Sequence, residues 1–258
     1  MAISAPTVVC DLDGVVYLGD QAVPGAREAL EALRAGGVGL IFATNNSWRP
    51  PRAVADRILA VTGFEVAPDE VVTSAQAAAR LLAEDRPPTL IVGGPGIVAA
   101  LEEAGVPITA DPASAGAVVA GIDLELGYER LRAATTAIRE GARFVATNHD
   151  PTYPTPAGLW PGAGAIVAAL QVASGRSAEI AGKPYEPMRR LIAERAGPGE
   201  VWVVGDRIDT DLAMATIEGW TGVLVLTGVT ATAPDRDPPR HVLGSIRELP
   251  ELVSAGSR

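Results

Sequence analysis

Asp11 and Asp13 stand two residues apart directly after a short β-branched run, Thr7–Cys10 (TVVC), and three further apolar runs break into polar residues in the same way. Val38–Ala43 (VGLIFA) leads into Thr44, Asn45, Asn46 and Ser47; Glu179–Gly182 (EIAG) into Lys183 and Pro184; and Val201–Gly205 (VWVVG) into Asp206, Arg207, Ile208, Asp209, Thr210 and Asp211. Ligands of open parallel sheets bind beyond the carboxyl ends of the strands, so the four clusters are expected to meet at one centre. Asp11 and Asp13 can point to the same side of a strand end, and Asp206 adds a third carboxylate. Like charges this close are costly unless neutralised, and a hard cation with oxygen ligands, Mg²⁺ in particular, resolves the conflict. A phosphoryl group then completes the shell. Lys183 would balance its charge, and Thr44 with adjacent backbone N–H groups would hold its remaining oxygens.

The chemistry expected of such a centre divides between its carboxylates. One attacks phosphorus to form an aspartyl-phosphate, and another protonates the departing alkoxide and later deprotonates the hydrolytic water. Asp11 is the natural nucleophile and Asp13 the acid/base, while the metal and Lys183 stabilise the transferring phosphoryl group.

These residues need strands that end together. Apolar β-branched runs alternate with amphipathic stretches: Thr7–Cys10 precedes Ala26–Ala35, and Val38–Ala43 precedes Arg52–Val61. The alternation continues through Thr89–Val92, Ala117–Gly121, Phe144–Ala146, Glu179–Ala181, Val201–Val204 and Val223–Leu226. Such βα grammar predicts an α/β fold, a Rossmann-like doubly wound parallel sheet covered on both faces. The strands are too many for one small sheet, and Gly and Pro cluster at Gly93–Gly96 and Pro151–Gly164, so a second unit is expected. Gly93–Gly96 lacks the spacing of a phosphate-binding fingerprint and reads as a turn. Thr230–Arg240 reads as an exposed loop and His241–Leu252 as a final helix.

Composition narrows the ligand. The 258 residues carry a formal net charge of −10, which opposes binding to a nucleic-acid backbone. No apolar stretch approaches the roughly 20 residues that span a bilayer, and MAISAPTVVCDLDG lacks the basic start of a secretory signal. Cys10 is the only cysteine, which rules out an intrachain disulfide and fits a reducing cytosol. By strand alternation Cys10 should face the core.

The ordered set Asp11-Leu12-Asp13-Gly14-Val15-Val16, Thr44-Asn45-Asn46, Gly182-Lys183-Pro184 and Gly205-Asp206-Arg207-x-x-Thr210-Asp211 resembles the four motifs of the haloacid dehalogenase superfamily. The chain is most similar to the branch of nitrophenyl-phosphatases, phosphoglycolate phosphatases and pyridoxal phosphatases. The resemblance implies a catalytic core of residues 1–76 and 181–258 and an inserted α/β cap over residues 77–180 that sets substrate specificity. It implies Asp11 as nucleophile and metal ligand, and Asp13 as acid/base and ligand through its backbone carbonyl. Asp206 would be a further Mg²⁺ ligand supported from behind by Asp211. Thr44, Asn45, Asn46 and Lys183 would bind the phosphate.

Thr147–Pro154 and Pro161–Ala165 resemble a cap signature, which makes Asn148 and Tyr153 candidate substrate contacts. Pyridoxal phosphatases of vertebrates carry a substrate-contacting histidine at the position of Tyr153, so the chain departs from them there. The implied substrates are small phosphorylated metabolites: phosphoglycolate, glycerol phosphate, sugar phosphates and nucleotides. Proteins with this cap often pair through it, which implies a homodimer.

Plainer readings stand beside these. Asp209 and Asp211 suit N-terminal caps of a helix Leu212–Ile217, and His149 suits a solvated loop. A phosphate-ester-binding regulatory protein without turnover, or a phosphotransferase or mutase, are the rival functions; Asp13 disfavours dehalogenase and phosphonatase chemistry.

Overall fold

A computed structural model describes residues 5–155, 158–236 and 238–256. Pro156 and Ala157, in the Pro/Gly-rich stretch, and Asp237, in the expected loop, lie outside the described residues. The chain divides into two compact units: Met1–Thr44 with Arg52–Val72 and Arg189–Arg258, and Asn45–Pro51 with Thr73–Met188.

In chain order, the first unit opens with β1 (Thr7–Cys10), a two-stranded hairpin β2 (Tyr17–Leu18) and β3 (Gln21–Ala22), α1 (Ala26–Ala35), β4 (Gly39–Thr44), α2 (Pro51–Thr62) and β5 (Val71–Thr73). The second unit contributes α3 (Ser74–Leu82), β6 (Thr89–Val92), α4 (Pro95–Glu103), β7 (Ala117–Ala120), α5 (Tyr128–Arg139), β8 (Arg143–Ala146), β9 (Thr152–Thr155), β10 (Gly158–Pro161), α6 (Ala163–Ser174) and β11 (Glu179–Ile180). After α7 (Glu186–Ala196) the chain completes the first unit with β12 (Val201–Gly205), α8 (Ala213–Glu218), β13 (Thr221–Val225), β14 (His241–Leu243) and α9 (Leu249–Gly256).

The main sheet of the first unit runs β14-β13-β12-β1-β4-β5. β1 pairs in parallel with both β4 and β12, and β13 with both β12 and β14. The chain leaves β1 on one side and returns on the other, so the strand order reverses at β1. That is the doubly wound arrangement expected from the sequence, with its crevice beyond the carboxyl end of β1. β1 is buried on both faces, which is why it reads as unbroken apolar sequence. Cys10 is fully buried, as its alternation predicts. In α1 the buried residues Ala26, Ala29, Leu30 and Leu33 follow helical spacing and face the sheet core formed by Val8, Cys10 and Val204.

The second unit has its own parallel sheet, β11-β8-β7-β6, with strands that follow one another in sequence lying side by side. Its separate core gathers Val92, Val118, Ala120, Ile138, Ala146 and Leu170. α3 starts in a capping box: Thr73 Oγ1 accepts from Gln76 N at 3.3 Å, and Gln76 Oε1 accepts from Thr73 N at 3.0 Å. Buried Asp123 pairs with Arg130.

The structure corrects the final helix. His241–Leu243 is a strand that pairs with Val223–Val225 of β13. Gly244 and Ser245 then break the chain, because Ser245 caps a short turn by accepting from Arg247 N at 3.3 Å, and α9 begins only at Leu249. Gly93–Gly96 is the turn that launches α4, with Gly94 as its N-cap and Pro95 as its first residue.

Candidate active site

The first unit builds a carboxylate centre at the carboxyl edge of its sheet. Asp11 follows β1 at once, is 8 % exposed, and donates its N–H to Val204 O at 2.9 Å. The chain then coils tightly, because Leu12 O accepts from the N–H groups of Val15, Val16 and Tyr17 at 3.2, 2.9 and 3.2 Å. Gly14, at φ +88°, makes this turn possible, and its N–H closes on Tyr17 O at 2.8 Å. Asp13 lies inside the coil and forms a bridge with Tyr17. Burial, then the charges of Asp13 and Asp11, push the Tyr17 hydroxyl well above the usual tyrosine range. Tyr17 stays protonated at neutral pH.

Asp206 follows β12 and is 2 % exposed. Its Oδ2 accepts from Val229 N at 2.5 Å. A Cβ on either Gly14 or Gly228 would overlap its carboxylate, so two glycines line the space it occupies. Thr227 ties this loop to the first motif by donating to Gly14 O at 2.5 Å. Asp211, 1 % exposed, accepts through Oδ2 from Arg207 N at 3.3 Å and Thr210 Oγ1 at 3.4 Å, and Gly205 leaves room for it.

One carboxylate oxygen from each of Asp11, Asp206 and Asp211 lies within 4.8 Å of the others. Three hard oxygen donors this close, on largely buried side chains, fit a divalent cation of the Mg²⁺ type. The carboxylate of Asp13 is not among them, whereas that of Asp211, expected behind Asp206, is. Asp209 is no helix cap: its carboxylate pairs with the Arg207 guanidinium at 2.9 Å, and a five-residue π-turn, Ile208–Leu212, precedes α8. Thr44 is buried at the end of β4 in this same unit.

The remaining expected residues belong to the second unit, where Asn45 is the hub. Asn45 Oδ1 accepts from Lys183 N at 2.7 Å, and Nδ2 donates to Lys183 O at 3.3 Å and to the Asp150 carboxylate at 3.2 and 3.4 Å. The Asn45 carbonyl accepts from Asn148 Nδ2 and Ser74 Oγ, both at 2.6 Å. Asn45, Asn148 and Lys183 are all buried. The amides of Asn45 and Asn148 thus hold protein groups, and Asn46 accepts from Trp48 N at 2.9 Å through its Oδ1. Tyr153 sits in the hairpin β9–β10 opposite Trp160, and exposed His149 sets its ring against Tyr185 at 5.5 Å.

Several contributors escaped the sequence reading. Thr227, Gly228 and Val229 follow β13 as the other clusters follow their strands, so the same rule of an apolar run ending in polar or glycine residues points to them. Asp150 closes the polar stretch that follows β8, so the same rule reaches it, whereas Ser74, which opens α3, carries no such signal.

Comparison with known proteins agrees with this architecture. Residues 8–107 match the family model described as haloacid dehalogenase-like hydrolase, and residues 180–249 match a second model of HAD-like hydrolases. The acid sugar phosphatase of Staphylococcus aureus is 36 % identical over 251 residues, covering 95 % of each chain. The crystal structure of glycerol phosphate phosphatase from Mycobacterium tuberculosis in complex with magnesium superposes with a TM-score of 0.88 at 36 % identity, covering 97 % of this chain and 78 % of that one. The p-nitrophenyl phosphatase of Archaeoglobus fulgidus gives 0.87 at 32 % identity, covering 95 % and 98 %. The chain therefore belongs to the haloacid dehalogenase-like hydrolases, among the phosphatases of that family.

Proposed function

We propose that the chain hydrolyses small phosphomonoesters through a phospho-aspartate intermediate on Asp11. The observation that carries this reading is the Asp11–Asp206–Asp211 cluster at the carboxyl edge of a doubly wound sheet. These three side chains, with the Asp13 carbonyl, would hold Mg²⁺, which when bound offsets repulsion between carboxylate and phosphate dianion and stabilises charge on the transferring oxygens. Asp11 attacks phosphorus as the ester oxygen departs with a proton from Asp13. Asp13 then takes a proton from water as that water attacks the phosphorus of the aspartyl-phosphate, which restores Asp11 and releases orthophosphate.

Lys183 is assigned to charge balance on the phosphate by its Gly-Lys-Pro motif, and Thr44 to a phosphate oxygen. Residues 77–180, which fall within the second unit, are assigned as the specificity cap, with Tyr153 as a substrate contact. The names of the relatives support sugar and polyol phosphates as substrates and p-nitrophenyl phosphate as a generic one. The lone, buried Cys10 accords with a cytoplasmic enzyme; among the described residues no helix is long and apolar enough to cross a membrane. A homodimer through the cap goes with this reading, and a monomeric mass in sedimentation would remove it. Asp11→Asn should lower Mg²⁺-dependent release of p-nitrophenolate by roughly a thousandfold or more. An active Asp11→Asn enzyme would overturn the mechanism.

A further inference from the structure

We propose that Asp150 is a positioning residue that fixes the orientation of the Asn45 amide and, through it, the placement of Lys183. The inference rests on the reading of Lys183 as the cation that binds phosphate.

An asparagine amide has one end that accepts and one that donates. Asn45 uses both on a single residue, taking the Lys183 N–H at 2.7 Å and giving to the Lys183 carbonyl at 3.3 Å. The grip works in one orientation only. Turned over, the amide would set donor against the Lys183 N–H and acceptor against its carbonyl. The backbone of Lys183 therefore favours the right orientation, and the Asp150 carboxylate enforces it, because a carboxylate accepts and the NH₂ end alone can face it. In the turned-over state Asn45 Oδ1 would meet a carboxylate oxygen.

The surroundings hold this relay in place. Asp150 donates its N–H to Asn148 Oδ1 at 3.0 Å, and Asn148 in turn donates to the Asn45 carbonyl at 2.6 Å. One short segment after β8 thus fixes both the backbone and the side chain of Asn45. Gly182 completes the fit, since a Cβ there would collide with Asn45 Oδ1. Asn45 is 9 % and Lys183 3 % exposed, so water competes little for these bonds. Displacing a binding group by even an ångström is costly for phosphoryl transfer.

The test uses the full-length Mg²⁺-loaded enzyme and reads the competitive inhibition constant of orthophosphate, kcat, KM and the melting temperature. Asp150→Ala should weaken orthophosphate binding roughly tenfold, the scale on which orienting partners act. Asn45→Asp should weaken it further, by setting two carboxylates together. The double variant Asn45→Asp/Asp150→Asn restores a donor facing an acceptor and leaves an acceptor for Lys183 N, though not the donor to Lys183 O, so it should recover part of the loss seen in Asn45→Asp. Recovery of melting temperature without recovery of phosphate affinity would overturn the proposal. Lys183→Met separates it from the reading beneath it. If Lys183→Met leaves phosphate affinity unchanged, the assignment of Lys183 fails. If Lys183→Met weakens it while Asp150→Ala and Asn45→Asp do not, the positioning role alone fails.

Discussion

Asp206 is confined by atoms that are missing as much as by atoms that are present. Gly14 and Gly228 leave space that a methyl group would take from its carboxylate, and Val229 N holds one oxygen at 2.5 Å. Gly228→Ala should therefore push Asp206 out of the cluster and raise the Mg²⁺ concentration for half-maximal activity roughly tenfold or more. A metal titration of the variant checks this, and an unchanged midpoint would count against the cluster as the metal site. Gly14→Ala adds strain at φ +88° and should be the more damaging of the two. At this scale the sequence displays acids and a lysine, because side-chain type carries their chemistry. It conceals the Val229 N–H and the room at Gly228, since any residue supplies an amide and glycine has many uses.

The hairpin β2–β3 is too short to stand alone, and Arg57 of α2 holds it. Its guanidinium donates to Gly19 O at 2.7 Å, approaches Asp20 at 3.2 Å and lies over the Tyr17 ring at 5.1 Å. Since Tyr17 is tied to Asp13 and Gly14, Arg57→Met should loosen the loop that carries Asp13, the proposed acid/base. The loss in kcat should be several-fold larger for alkyl phosphates, whose leaving groups need a proton, than for p-nitrophenyl phosphate; equal losses would mean a general destabilisation. Legibility at this scale follows burial. β1, β4 and β12 were readable because strands covered on both faces are continuously apolar. The pairs β2–β3 and β9–β10, and β14, are brief and depend on partners remote in sequence. His241–Leu252 resembled a helix because its apolar residues are spaced like one, until Gly244 and Ser245 are given their places.

At the scale of the whole molecule, binding of Mg²⁺ to three gathered carboxylates should feed into folding, because the unfolded chain does not gather them. At a hundredfold excess over its dissociation constant, the ion should add about 2.7 kcal/mol to stability, and Asp206→Asn should remove most of that increment. Urea unfolding with and without Mg²⁺ measures it; an equal increment in the variant would place the ion elsewhere. The route of the chain between the two units has no signal in any single stretch of sequence. Asn45–Pro51 belongs with Thr73–Met188, although α2 and β5 intervene. That has a bearing on heredity and on engineering. A crossover that exchanged only residues 73–188 between two relatives would bring Ser74, Asn148 and Asp150 to a stranger at position 45. The hydrogen bonds around residue 45 would then be inherited intact only when the short passenger Asn45–Pro51 travels with that segment.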